Sequence, residues 1–133
     1  MQYLLDTNIC IYIIKKSPRS VLDRLREHTP KKIAISTVTL FELYYGAAKS
    51  QSWQQAEDAL AKFFVPFSII DVDRSAAAEA AIIRARLEER GTPIGPYDLL
   101  IAGVARAWNM VLVTNNIREF ERIENMRLEN WAV

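Results

Sequence analysis

The stretch Tyr3-Leu4-Leu5-Asp6-Thr7-Asn8 decides the fold. A short apolar run stops abruptly on residues that favour helix N-caps. The same grammar recurs three times further on. Ile33-Ala34-Ile35 stops at Ser36-Thr37, Ser68-Ile69-Ile70-Asp71-Val72 stops at Asp73, and Met110-Val111-Leu112-Val113 stops at Thr114-Asn115-Asn116. Strands that run straight into helix caps signify βα units. They predict an α/β fold with a central, mostly parallel, twisted sheet flanked by helices. A last extended piece, Arg127–Trp131, reads as a candidate edge strand.

The intervening segments carry helical spacing. Ser17-Pro18 reads as an N-cap followed by proline at the first helical position, with Val21, Leu22 and Leu25 as the stripe and an end near His28. A second helix follows Thr37 and runs to about Lys49, and a third spans Trp53 to Phe64. Asp73–Arg90 is alanine-rich, with Glu79 pairable to neighbouring arginines and Gly91 as its stop. Gly95-Pro96 opens another helix from Tyr97 to Trp108, and Ile117–Phe120 forms a short turn or helix.

The chain has 133 residues, half of them hydrophobic and a quarter charged, which fits one globular domain over 1–133. A single cysteine, Cys10, excludes an internal disulfide. A single histidine, His28, excludes a zinc site built on several His or Cys ligands, so a metal would need oxygen ligands. No signal peptide or spanning segment is evident, and a soluble cytoplasmic protein is expected. The net charge of +1 supplies no overall basic field. Residues 1–62 hold nine Lys and Arg against six acids, and residues 63–133 hold eight Arg against ten acids. Binding to a polyanion must therefore use local clusters, such as the one around Lys15 or the one around Arg84.

In an open parallel α/β sheet, ligands bind beyond the carboxyl ends of the strands. Asp6, Ser36, Thr37 and Thr114 stand at that edge, and for each the helix-cap role competes with a chemical one. Two other acids are harder to explain as caps. Glu42 is the only charge between Lys32 and Lys49, in a helix apolar on nearly all sides and so expected to be largely buried. Asp98 stands in the first turn of a helix otherwise uncharged until Arg106, where the helix dipole is its modest alternative explanation. Converging carboxylates without a basic partner repel, and a divalent cation removes the conflict. Oxygen ligands suit Mg2+ or Mn2+, and phosphodiester hydrolysis is the natural reaction class. Aspartyl-phosphate chemistry is excluded because it needs a late lysine and none follows Lys62. The four glycines, 46, 91, 95 and 103, form no phosphate-binding loop.

Four pieces together resemble the PIN-domain ribonucleases and, within them, the VapC toxins of bacterial toxin–antitoxin pairs. They are Leu5-Asp6-Thr7-Asn8; Ser36-Thr37-Val38-Thr39-Leu40-Phe41-Glu42-Leu43 with Gly46; Gly91-Thr92-Pro93-Ile94-Gly95-Pro96-Tyr97-Asp98 with Ile101-Ala102; and Val113-Thr114-Asn115-Asn116 with Arg118-Glu119-Phe120. The resemblance implies a single PIN-like domain. It implies Asp6, Glu42 and Asp98 as an acidic triad holding Mg2+ or Mn2+, with Asn116 where many relatives carry a fourth acid. Thr7, Asn8, Thr114 and Glu119 would support that set, and the reaction would be hydrolysis of an RNA phosphodiester by an in-line water.

The resemblance also implies partners. VapC toxins usually form homodimers silenced by a VapB antitoxin, which links them indirectly to operator DNA. Ile9, Ile13, Tyr44, Tyr45, Trp53, Phe63 and Phe64 are the candidate lining of an antitoxin groove. The implied substrate is structured RNA. It would be transfer RNA, often cut in the anticodon loop and here resembling the initiator-tRNA subgroup, or alternatively a loop of ribosomal RNA. The alternative from another class is a PIN fold without catalysis, serving only as an antitoxin-binding or DNA-complex partner.

Overall fold

The computed structural model describes residues 2–133. Its strands are β1 (Tyr3–Leu5), β2 (Ile33–Ser36), β3 (Ser68–Ile70), β4 (Val111–Val113) and β5 (Leu128–Glu129). They form one five-stranded sheet in the order β3-β2-β1-β4-β5, and each pairing is parallel. The helices are α1 (Thr7–Lys15), α2 (Arg19–Arg26), α3 (Thr37–Lys49), α4 (Trp53–Phe64), α5 (Arg74–Glu89), α6 (Pro96–Ala107) and α7 (Ile117–Phe120).

Strand periodicity assigns the helices to the two faces. Leu4 lies opposite Ala34 and Leu112 in register. All three are buried in one cluster with Ala76, Ile83 and Leu87 of α5 and Leu99, Ala102 and Val104 of α6. Tyr3, Leu5, Ile33, Ile35, Val111 and Val113 point the other way. They meet Ile9, Cys10 and Ile13 of α1, Val21 of α2, Leu43 and Ala47 of α3, and Leu60 and Phe64 of α4. Helices therefore cover both faces, as a fully parallel sheet requires. The outer pair α5 and α6 approaches closely at Gly103, where an added Cβ would stand 2.8 Å from Ala80 Cβ and also meet the Ala76 carbonyl oxygen.

Three of the sequence caps are realised. Asp6 accepts from Ile9 N–H at 2.9 Å, Ser36 from Thr39 N–H at 3.3 Å, and Asp73 from Ala76 N–H at 2.9 Å. Gly91 ends the α5 region in the left-handed conformation at φ 70°. Ser17-Pro18 departs from expectation. Pro18 is itself the extended N-cap residue, α2 begins at Arg19, and no side chain caps it. Helix α1 is an addition to the helices read from the pattern. Glu79 pairs not along its own helix but with Arg106 of α6, at 3.7 Å.

The short β5 is the free edge beside β4 and is tied to α2. Arg24 Nη2 and Trp131 Nε1 both donate to Glu129 Oε1, at 2.8 and 2.9 Å. Trp131 is fully buried, and the His28 ring stacks on it at 5.4 Å. The chain winds outward from β1 to β3, then returns to lay β4 on the other side of β1. The crevice between the carboxyl ends of β1 and β4 is therefore the switch point, where such folds bind ligands.

Candidate active site

Asp6 is the first residue beyond β1 and is 5 % exposed. Its Oδ1 caps α1, and its Oδ2 accepts the Thr114 hydroxyl at 2.5 Å. Thr114 is fully buried, and its oxygen in turn accepts Asn116 N–H at 2.9 Å. The hydroxyl proton is thereby committed to Asp6, and both carboxylate oxygens are fixed. The cap and the functional position are one residue. Burial pushes the Asp6 carboxyl up to about 6 against these hydrogen bonds, and the Glu42 charge adds to the rise.

Glu42 lies on α3 and is half-buried. Thr7 Oγ1 donates to Glu42 Oε1 at 2.7 Å, and the Thr7 and Thr39 hydroxyls are 3.1 Å apart. A hydroxyl has one proton, so Thr39 must be the donor to Thr7. The relay Thr39–Thr7–Glu42 orients the carboxylate. Thr39 is fully buried, and it is the member of the site that sequence reasoning did not single out. Its signal was a second threonine two residues after Thr37, indistinguishable from ordinary first-turn threonines.

Asp98 stands in the first turn of α6, facing Glu119 of α7. Burial, the contact with Glu119 and the charges of Glu119, Asp6 and Glu42 raise its carboxyl to about 8. Glu119 is held below its usual value by the hydrogen bond from Asp98 and by Asn116. Two carboxyls in contact cannot both ionise freely, so one proton lies between them and resides on Asp98. Asn116 Nδ2 donates to Glu119 Oε2 at 3.0 Å. Glu119 Oε1 is buried and finds no donor unless Asp98 carries that proton.

Asp6, Glu42, Asp98 and Glu119 thus come from four segments and feel one another's charge, and no basic side chain is among the groups that set Asp6 or Asp98. Among the described residues, no three His, Cys, Asp or Glu side chains form a ready-made cage. Mg2+ needs none, since one or two carboxylates with waters and phosphate suffice. The orphaned Glu119 Oε1, the displaced Asp98 proton and the all-oxygen donor set fit a hard divalent cation.

Other expected residues fall elsewhere. Asn8 has an exposed side chain, and only its backbone N–H reaches Asp6. Ile9, Ile13 and Phe64 are buried in the core and line no groove. Helical phase turns these apolar residues inward. Tyr44, Tyr45 and Trp53 are exposed, and Tyr44 and Trp53 border a cleft between α3 and α4 with Ala47, Ala48 and Glu57. Phe63 is half-buried against Phe64 and Phe67. Helix α3 is not buried all round as its composition suggested, because Phe41, Tyr44 and Tyr45 emerge on its outer face.

The model of the PIN domain matches residues 3–126. The chain is 44% identical over 132 residues to the tRNA(fMet)-specific endonuclease VapC of Shigella flexneri, covering 99% of each. It is 46% identical to ribonuclease VapC2 of Rickettsia felis, covering 98% of each. Among solved structures, VapBC from Salmonella typhimurium bound to DNA superposes with a TM-score of 0.92 at 43% identity, covering 98% of each chain. On a shared fold, shared length and this level of identity, the chain belongs to the PIN-domain family and, within it, to the VapC ribonucleases.

Proposed function

We propose that this chain is the toxin of a toxin–antitoxin pair and cuts structured RNA with Mg2+ or Mn2+ held by Asp6, Glu42 and Asp98. PIN-domain ribonucleases generally depend on a divalent metal. One observation carries the reading: acids from separate segments share the switch-point crevice with no basic side chain acting on Asp6 or Asp98, at the cost of an Asp98 carboxyl raised to about 8. A bound divalent cation would lower the pKa of a water and neutralise charge on the phosphate. The chain's own groups supply the rest. Asp6 is immobilised by Thr114 and by the start of α1, and Glu42 by the Thr39–Thr7 relay. Glu119, in contact with Asp98, shares the proton that Asp98 carries, and that proton would be released when Asp98 takes up a cation. Asn116 contributes an amide that steadies Glu119.

The proposed substrate is initiator tRNA, named in the relative from Shigella flexneri. The proposed partner is a VapB-type antitoxin over the aromatic face of Tyr44, Tyr45, Trp53 and Phe63. Contact with operator DNA would run only through that partner; the VapBC complexes of Rickettsia felis and Salmonella typhimurium are themselves DNA-bound. A homodimer in the cytoplasm completes the proposal. Among the described residues, no helix is long and apolar enough to cross a membrane.

The test is cleavage of an initiator-tRNA transcript by antitoxin-free protein. Cutting is expected with Mg2+, absent in excess EDTA, and restored by Mn2+. Persistence in EDTA refutes the metal role, and cutting of ribosomal RNA alone moves the substrate. A milder expectation concerns Thr114→Val. Removing the hydroxyl frees Asp6 Oδ2 and strands Asn116 N–H, so cation affinity or activity should fall by about 10–100-fold. A Mg2+ titration of cleavage rate reads the change, and wild-type affinity in the variant would dismiss the hydroxyl's role.

A further inference from the structure

Two exposed aromatic side chains border the carboxylate crevice. Phe41 directly precedes Glu42 on α3, and Tyr97 directly precedes Asp98 on α6. Their ring centroids are 5.5 Å apart at 63°, an edge-to-face pair bridging the two helices. Phe41 is 53% exposed and Tyr97 46% exposed, so neither belongs to the core. An edge-to-face contact covers one of the pair's four ring faces, and about half of each side chain remains open to water. Successive helical residues point about 100° apart, so the rings stand at the rim of the acidic crevice rather than inside it.

We propose that Phe41 and Tyr97 form a stacking platform for an unpaired base of the RNA strand next to the phosphate being cut. This rests on the ribonuclease reading and deepens it. Any base has a π-face, so an aromatic rim binds a splayed nucleotide without choosing its identity. Acids repel a phosphate backbone, and a chain with a net charge of +1 has little general attraction for RNA. Stacking offers affinity that does not depend on charge, at the rim where the strand must pass to reach the acids. A base inside a helix has both faces covered by its neighbours. The platform therefore demands a nucleotide outside a duplex, in a loop or at an end, and helps exclude paired RNA.

The test compares two fluorescein-labelled probes of equal charge, hexameric oligoadenylate and a hexameric abasic ribose-phosphate, by anisotropy in EDTA so that no probe is consumed. Stacking of a base on an aromatic ring is worth about 5- to 150-fold in affinity. Wild-type protein is expected to bind the adenylate more tightly by about that factor. Phe41→Ala with Tyr97→Ala should erase the difference while leaving the abasic probe and the circular-dichroism melt unchanged, and Tyr97→Phe should retain it. Equal binding of the two probes by wild type, or an undiminished preference in the double alanine variant, overturns the platform. So does a double variant whose preference persists while its mass drops from dimer to monomer, since the pair would then be a contact between copies. The assay reads binding alone. Protein that cuts no RNA but keeps the preference refutes the nuclease reading and not the platform.

Discussion

Asp98→Asn should abolish RNA cleavage while making the metal-free protein more stable. Groups one layer removed from a metal are worth about 10–100-fold, so loss of a direct carboxylate should cost more than about 100-fold. The stability gain has a local cause. Asp98 meets Glu119 carboxyl to carboxyl, and only a proton or a cation relieves the contact. An asparagine amide would donate permanently to the buried, unpartnered Glu119 Oε1. The pH dependence should change with it. The carboxyls of Asp6 and Asp98 are raised from the ordinary 3.8 to about 6 and about 8, so the folded chain keeps protons that the unfolded chain has released.

Their contribution to stability is therefore fully present below pH 3.8. It fades as pH rises, and it is gone above about pH 8. Glu119 runs the other way, since its folded value is lowered and its contribution fades only as pH falls through the acidic range. Metal-free wild type should thus melt at a higher temperature at pH 5.5 than at pH 8.5. The whole Asp6 shift corresponds to about 3 kcal/mol, but most of that is lost between pH 3.8 and 6, so Asp98 carries most of the change in this window. In Asp98→Asn the part of that slope between pH 6 and 8 should vanish, and Mg2+ at pH 8 should raise the melting temperature of wild type far more than of the variant. Wild-type cleavage by the variant, or superimposable melting profiles, would remove Asp98 from the site.

Gly103→Ala should give the largest loss of stability from a single methyl group. The new Cβ would lie 2.8 Å from Ala80 Cβ and 3.0 Å from Ala80 N, and it would collide with the Ala76 carbonyl oxygen. Backbone cannot swing aside as a side chain does, so α5 and α6 must separate. Overpacking of this kind costs about 1–3 kcal/mol or somewhat more. For a chain of this size that lowers the melting temperature by roughly 10 °C. Activity should fall as well, below the melting transition, because α6 carries Asp98 and a misplacement of about 1 Å can cost about 100-fold. Gly46→Ala is the control. Nothing lies within 4 Å of its added Cβ, and an alanine in that helix should stabilise by about 0.5–1 kcal/mol. Equal melting of the two variants would mean that the outer helices do not pack as described.

The fold was readable where local chemistry and tertiary structure agree. Ser36, Asp73 and Asp6 cap helices because an oxygen follows an apolar run, and nothing distant overrides them. Helix α1 was harder, since isoleucines at 9, 11, 13 and 14 carry strand propensity. Its helical state is decided by the Asp6 cap and by burial of Ile9 and Ile13, which also removes both from any groove. The apolar composition of α3 could not tell a buried aromatic from a displayed one: Tyr44 and Tyr45 read as groove candidates together with the buried Ile9, Ile13 and Phe64, and Phe41 emerged only with the helix oriented on the sheet. In the site, Glu42 and Asp98 stood out as charges in apolar helices, while Asp6 could equally be read as a helix cap, and it proves to be both cap and site residue. The sharing of a proton between Asp98 and Glu119, and the hydroxyl relay from Thr39, depend on approaches between segments that no local pattern encodes.

The strand order has a temporal meaning. Because β4 is laid beside β1 only after the chain has travelled out to β3 and back, Asp6 waits for Thr114, Asn116 and Glu119, which follow it by more than 100 residues. Domains form during synthesis from the N-terminus onward. A nascent chain that has not yet exposed residues 114–119 carries half a pocket, so the acidic crevice closes only when β4 docks beside β1.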